Sequence, residues 1–364
     1  MYIYEQPTWP CFTWNLEALN TELLLLKSKQ GELFGRLISL GFDTQQAKIL
    51  DTLTIEAIKT SEIEGVIFNP EEVRSSVAKR LGLSLQNTKI NTGRDVDGLV
   101  QILFEATDLN KKLTDKILFS WHELLFSNKP KDLIIGGFRD DSHGPMQVVS
   151  GPIGKQKIHF EAVPADKINN EINIFLDWLN LESETDAVIK AGVAHLWFLT
   201  IHPFEDGNGR IARAISEMAL SKSENSAKRY YSLSAQIKSD RSNYYSMLEI
   251  TQKGSLDITI WLQWFISSVK QAISSSIEEL HTVLEKTFFW QKYSSFNFNG
   301  RQKLILSMVL EHFEEKLTTS KWSKITKCSG DTALRDIREL IELGILEKDH
   351  KAGGGRNISY NLKN

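Results

Sequence analysis

Apolar residues recur at helical spacing through most of the chain, and only a few short stretches alternate. Val188, Ala191, Ala194, Phe198 and Ile201 lie on one helical face, which predicts a helix over 187–201. Residues 211–220 have the same character. Between them lies a polar, glycine-containing loop. Further upstream, Ile49, Leu50, Leu53, Ile55 and Ile58 mark a helix over 44–63, with Thr44 as its N-cap and Gly65 as its stop. Another helix is predicted over 20–40, and one more around Trp261, Leu262, Trp264 and Phe265. Short extended runs at 147–150 and 158–160, with Gly151, Pro152 and Gly154 between them, predict a hairpin. Towards the end, helices over 304–313, 320–326 and 330–343 precede strands at 344–348 and 356–360, around Gly353, Gly354 and Gly355. The pattern predicts a mainly α protein.

Length divides this pattern into units. A chain of 364 residues exceeds one typical domain. Residues 1–95 read as a helical unit preceded by an aromatic arm (Tyr2, Tyr4, Trp9, Phe12, Trp14) that is expected to pack on the body. Residues 96–275 read as a second unit. Residues 298–364, three helices and a hairpin, resemble a winged helix.

Composition excludes several classes. With 41% apolar and 24% charged residues the chain is globular, and a net charge of −3 gives no overall case for nucleic acid or an anionic membrane. The last unit carries twelve Lys and Arg against nine Asp and Glu, and Arg335 and Arg338 are its groove-facing candidates. Whether that unit binds DNA, mediates dimers or positions a target stays open. Cys11 and Cys328 are distant in sequence and are expected to be reduced thiols. Residues 1–5 lack a signal peptide's pattern and no apolar run approaches the ~20 residues of a membrane span, so a cytoplasmic protein is expected.

The loop before residue 211 concentrates the candidate chemistry: His202-Pro203-Phe204-Glu205-Asp206-Gly207-Asn208-Gly209-Arg210, then Arg213. The first N–H groups of a helix lack intrahelical partners and sit at the positive end of its dipole, so they bind phosphate oxygens. Glycines let backbone approach such a ligand closely. Arg210 and Arg213, three apart, can point the same way, and guanidinium forks suit phosphate. Asp206 is a hard oxygen ligand suited to Mg²⁺, and a neutral His202 can take a hydroxyl proton at pH 7. The parts indicate phosphate binding, a metal and a base; they do not name the transferred group. His143 and His159 share no ligand spacing and are expected to be loop residues.

These residues resemble the signature of the Fic (filamentation induced by cAMP) family, His-Pro-Phe-x-Asp/Glu-Gly-Asn-Gly-Arg-x-x-Arg, at every specified position. The resemblance implies a helical Fic domain that moves AMP from ATP to a protein hydroxyl, with His202 as the base and Asp206 holding Mg²⁺. It places Gly207, Asn208 and Gly209 at the anion hole, Arg210 on the phosphates and Arg213 on the γ-phosphate. Thr60-Ser61-Glu62-Ile63-Glu64-Gly65 resembles the family's inhibitory motif, which implies that Glu64 pairs with Arg213 in place of that phosphate. The same carboxylate would suit orienting a water for AMP removal. The hairpin resembles the family's flap, implying a target protein bound along residues 147–160. Tyr244 and Tyr245, after Arg241 and Asn243, resemble the helix beside the base; Tyr245 is the stacking candidate, with core packing as the alternative. Family members often form dimers, so a homodimer is compatible with the resemblance. Transfer of UMP, phosphate or phosphocholine remains as an alternative, although a glycine at 209 favours nucleotidyl transfer. A DNA-binding regulator using the Fic unit as nucleotide sensor is the alternative of another class.

Overall fold

The computed structural model describes residues 1–38, 40–84, 91–127, 133–142, 144–152, 155–182, 184–310, 316–349 and 358–363. His143, Gly154, residues 311–313 of one predicted helix, Gly353 to Gly355 and residues 356–357 of one predicted strand lie outside them.

Residues Met1–Ser276 cluster as one compact unit and Ile277–Asn364 as another. The segments 1–95 and 96–275 both fall within the first of these. The aromatic arm explains part of this. Tyr2 and Tyr4 meet the Phe160 ring edge-on, Trp9 and Phe12 pack on Trp197, and Trp9 Nε1 donates to Glu171 at 2.8 Å.

Helix α1 (Leu16–Ile38) buries Leu19, Leu23, Leu26, Leu33 and Leu37 and begins earlier than the predicted residue 20. Helix α2 spans Phe42–Ile63 with Gly41 at its N-cap, so Thr44 lies inside the first turn and is not the cap. Gln45 Nε2 ties this junction, donating to the carbonyl of Leu37 in the last turn of α1 and to that of Leu40 beyond it, at 2.9 and 3.0 Å. Ile55 is 36% exposed and faces outward; the inner face is Ile49, Leu50, Leu53, Ala57 and Ile63. Gly65, at φ +81°, closes the helix. Helices α3 (Pro70–Arg80), α4 (Arg94–Ala106) and α5 (Asp115–Leu125) follow.

The hairpin is β1 (Gln147–Ser150) against β2 (Lys157–Glu161), antiparallel, with a bulge after Val148. Helix α6 (Ile168–Asn180) then leads to α7 (Ala187–Ile201) and α8 (Asn208–Ser223), the antiparallel-loop pair at the centre of the unit. From Val188 onward nearly every α7 residue is buried, which explains an apolar sequence on all sides. Helices α9 (Leu233–Ser239), α10 (Arg241–Gln252) and α11 (Thr259–Lys292) complete it, the unit boundary falling within α11. Helix α2 packs on α9, α4 and α8. Its buried Glu56 accepts hydrogen bonds from Ser232 Oγ (2.6 Å), Ser234 N (3.0 Å) and Ser234 Oγ.

The second unit has its own core of Phe298, Ile305, Leu306, Leu317, Trp322, Ala333, Ile337, Leu340, Ile345, Leu346 and Tyr360. It comprises α12 (Gly300–Leu310), β3 (Leu317–Thr318), α13 (Thr319–Thr326), α14 (Gly330–Glu342), β4 (Leu346–Lys348) and β5 (Ser359–Leu362). Its described residues thus hold three helices followed by the paired strands β4 and β5. A third strand, β3, was not predicted; it gives the sheet order β3-β5-β4 and is too short for alternation to register. Arg335 and Arg338 are both exposed on α14.

Candidate active site

The α7–α8 loop is shaped by its own residues before any ligand is considered. His202 caps α7 in the left-handed region (φ 51°, ψ 60°). Arg139, only 3% exposed, fixes that turn: its Nε donates to the His202 carbonyl at 2.8 Å and its backbone N to the Pro203 carbonyl at 3.0 Å. Further guanidinium bonds go to Asp141 (2.9 Å) and to the Val163 carbonyl. Because a carbonyl only accepts, the 3.3 Å contact of His202 Nδ1 with the Leu199 carbonyl places the proton on Nδ1. Nε2 is left as the basic nitrogen on the cleft wall. Burial pushes this imidazole down to about 4, so it stays neutral at pH 7.

Gly207 caps α8 at φ +83°, and an added Cβ would lie 3.1 Å from the Phe126 ring. Gly207 N–H donates to Asp206 Oδ1 at 2.6 Å. Helix α8 begins at Asn208, so the N–H groups of its first turn are the unpartnered donors of a helix start. The Asn208 side chain does something other than line an anion site. Its Oδ1 accepts from Phe204 N (3.0 Å) and its Nδ2 donates to the Phe204 carbonyl (2.6 Å), closing the loop on itself. What Asn208 offers an anion is its main chain.

Behind the glycines stand the arginines. Arg213, 2% exposed, donates from Nε to Thr60 Oγ1 (2.7 Å) and from Nη2 to the Thr60 carbonyl and Glu64 Oε1 (both 2.8 Å). An added Cβ on Gly209 would lie 2.1 Å from Glu64 Oε1, so the carboxylate rests directly on that glycine. Arg210 lies over the Phe126 ring, 4.0 Å from Asp206 Oδ2. Arg213 Nη1 and Arg210 Nε are buried and have no partner among the described residues. Such orphaned donors suit a polyanion.

One cleft of about 780 Å³ gathers His202, Asp206, Gly207, Asn208, Gly209, Glu64 and Tyr245, with both flap strands along it. Arg210 and Arg213 sit behind its floor. The two tyrosines separate. Tyr244 is 1% exposed and its hydroxyl bonds His195 Nε2 at 2.8 Å, whereas Tyr245 is 37% exposed on the cleft wall. Arg241 lies over the Tyr245 ring at 5.2 Å.

Residues 112–220 match the Fic/DOC family, and residues 2–83 match a domain of unknown function (DUF4172). Residues 112–220 are a Fic/DOC domain. The chain is 28% identical over 184 residues to a probable protein adenylyltransferase, aq_aa38, of Aquifex aeolicus, covering 50% of this chain and 52% of that protein. It is 29% identical over 99 residues to the protein adenylyltransferase fic-1 of Caenorhabditis elegans, covering 27% and 18% respectively. The chain thus spans about half the length of the first relative and much less of the second. Its fold is similar to a crystal structure of a Fic family protein from Desulfovibrio desulfuricans G20, with a TM-score of 0.55 and 19% identity over 97% of this chain and 98% of that one.

Two buried residues that the motif does not include hold the Fic loop. Arg139 is one. The other is His122 of α5, fully buried and stacked on Phe204 at 4.3 Å, whose Nε2–H donates to the Asp206 carbonyl (3.2 Å) while Nδ1 accepts from Gly136 N–H (3.2 Å). Burial pushes its pKa down to about 4. Nothing in local spacing signals either contact. The Asp206 side chain is 63% exposed, and a carboxylate of that kind is the type of ligand Mg²⁺ takes. Among the described residues there is no helix long and apolar enough to cross a membrane.

Proposed function

We propose that this chain is an autoinhibited protein adenylyltransferase, moving AMP from ATP to a Ser, Thr or Tyr hydroxyl of a target protein. One observation carries the reading: His202, with its proton on Nδ1 and Nε2 as the basic nitrogen, lines the same cleft as Asp206 and the open helix start at Gly207 to Gly209. His202 takes the hydroxyl proton, the hydroxyl oxygen bonds to the α-phosphorus, and pyrophosphate leaves. The α8 N–H groups and buried guanidiniums hold the phosphates through that change of charge. Asp206 would hold Mg²⁺, which offsets phosphate charge when bound. The adenylyltransferase names of the two relatives support AMP as the group.

Glu64 supplies the inhibition. Its carboxylate satisfies Arg213 Nη2 and fills the space above Gly209, where a triphosphate's terminal phosphate would need to sit. On the flap, β1 pairs with β2 alone among the described residues, leaving an edge for a target's extended backbone.

Intact-mass spectrometry of Glu64→Gly with ATP and MgCl₂, with an added Ser/Thr/Tyr peptide mixture as acceptor, is the test. AMP is expected on chain or peptide, at least ~100-fold less with His202→Ala in the same background. Labelling no greater in Glu64→Gly than in the parent would remove the inhibitory role.

A further inference from the structure

The flap carries a second base that the Fic motif does not account for. His159 on β2 lies at the bulge: Val148 pairs with Phe160 and Val149 with Ile158, so His159 has no opposite residue in β1. Bulges of this kind redirect a side chain. Here the imidazole turns to Ser150, whose Oγ lies 2.6 Å from Nε2, while Nδ1 lies 2.5 Å from Glu249 Oε2 on α10. Since the carboxylate only accepts, Nδ1 carries the proton and Nε2 accepts from the Ser150 hydroxyl. Glu249 is held well down in pKa, to about 2, chiefly by hydrogen bonds from Lys253 and His159, so it stays ionised at neutral pH.

A hydroxyl, a base and a carboxylate orienting that base are the parts of an activated nucleophile. All three line the cleft that also contains His202, Asp206 and the α8 N-terminus. Ser150 itself is exposed. Tyr244 also lines that cleft and its hydroxyl bonds His195, but it is buried, whereas Ser150 is exposed and its imidazole is oriented by a carboxylate.

We propose that Ser150 is an internal acceptor of the nucleotidyl group, activated by His159 and Glu249. The inference rests on the adenylyl-transfer reading above. His159 Nε2 takes the Ser150 Oγ proton as Oγ bonds to the α-phosphorus of ATP. The bond from that phosphorus to the bridging oxygen breaks, pyrophosphate leaves, and His159 returns the proton to water. The product is a serine–AMP phosphodiester on β1. It occupies the strand edge offered to a target, so self-modification and target docking compete.

The test is peptide mapping of full-length Glu64→Gly after incubation with ATP and MgCl₂, with a Ser/Thr/Tyr peptide mixture present. AMP is expected on the peptide bearing Ser150 and absent from that position in Ser150→Ala. It should form about a hundredfold more slowly in His159→Gln, which keeps a hydrogen-bonding side chain but cannot take the proton. Glu249→Gln, keeping the imidazole without its carboxylate, should also slow it. An unchanged Ser150 rate in both variants overturns the relay. AMP on other hydroxyls with Ser150 bare overturns the acceptor assignment and leaves adenylyl transfer standing. AMP on neither chain nor peptides overturns both.

Discussion

The motif loop and the flap face each other across one cleft and are held in opposite ways. The loop is fixed from beneath by Arg139, His122 and Asn208, each nearly or wholly buried and each bonded to its main chain. The flap is a single hairpin that shows Val149 and Ile158 to solvent at 40% and 45% exposure. Its ties to the body include Phe160 under Tyr2 and Tyr4, and the partly exposed contacts of His159 and Lys157 with Glu249. Groups that stabilise developing charge act best when they need not reorganise, and a buried polar frame provides that. A strand edge that must accept different backbones is better left adjustable.

The largest expected break in this contrast is Arg139→Ala. It strips partners from the His202 and Val163 carbonyls and leaves Asp141 without its guanidinium. Removing a buried charged group with several bonds costs about 3–5 kcal/mol. Chemical denaturation should show that loss, and adenylyl transfer should fall with it because His202 loses its turn. A variant within about 1 kcal/mol of the parent would mean that the loop holds its shape without this frame.

Acid should act on the same frame. His122 and His195 are buried and neutral, with pKa values pushed down by burial to about 4 and about 3. In the unfolded chain each takes a proton near pH ~6.5. Below that pH the unfolded state binds more protons, so stability is full above it and is lost as pH falls towards the folded values. Between pH 6.5 and 5 the two together should cost roughly 3 kcal/mol, measured from denaturant midpoints at each pH. A flat profile would show that these imidazoles are not the buried neutral groups their hydrogen bonds describe.

How much of this was legible in the sequence depends on the range of each interaction. The bounds of α7 follow from local periodicity and were readable, and the loop's candidate residues could be named because they are adjacent in sequence. The pairing of Glu64 with Arg213 was readable because its short motif accompanies a complete second one. The supports were not. Arg139 reaches His202 across 63 residues and His122 reaches Asp206 across 84, through carbonyls that every residue possesses. Asn208 shows the same limit from nearby: the bonds of its side chain to the Phe204 main chain were not readable from its place in the loop. Thr44 failed as a cap because the chain needed Gln45 to serve α1, a demand that no propensity for Thr reveals.

The smallest expected effect sharpens the comparison from the flap's side. Glu249→Gln weakens the contacts of Glu249 with His159, Lys253 and Lys157, whose side chains are 27%, 38% and 67% exposed. Ion pairs at such exposure are screened and worth at most about 1 kcal/mol, so global stability should hardly change. The local consequence should be larger than the global one. Amide hydrogen exchange in β1 and β2 is expected to quicken, because their opening no longer breaks the tie to α10, while α7 and α8 amides keep the parent's protection. Quickening in all four elements together would mean that flap and loop open as one unit, and the division between a fixed chemical floor and an adjustable docking edge would be lost.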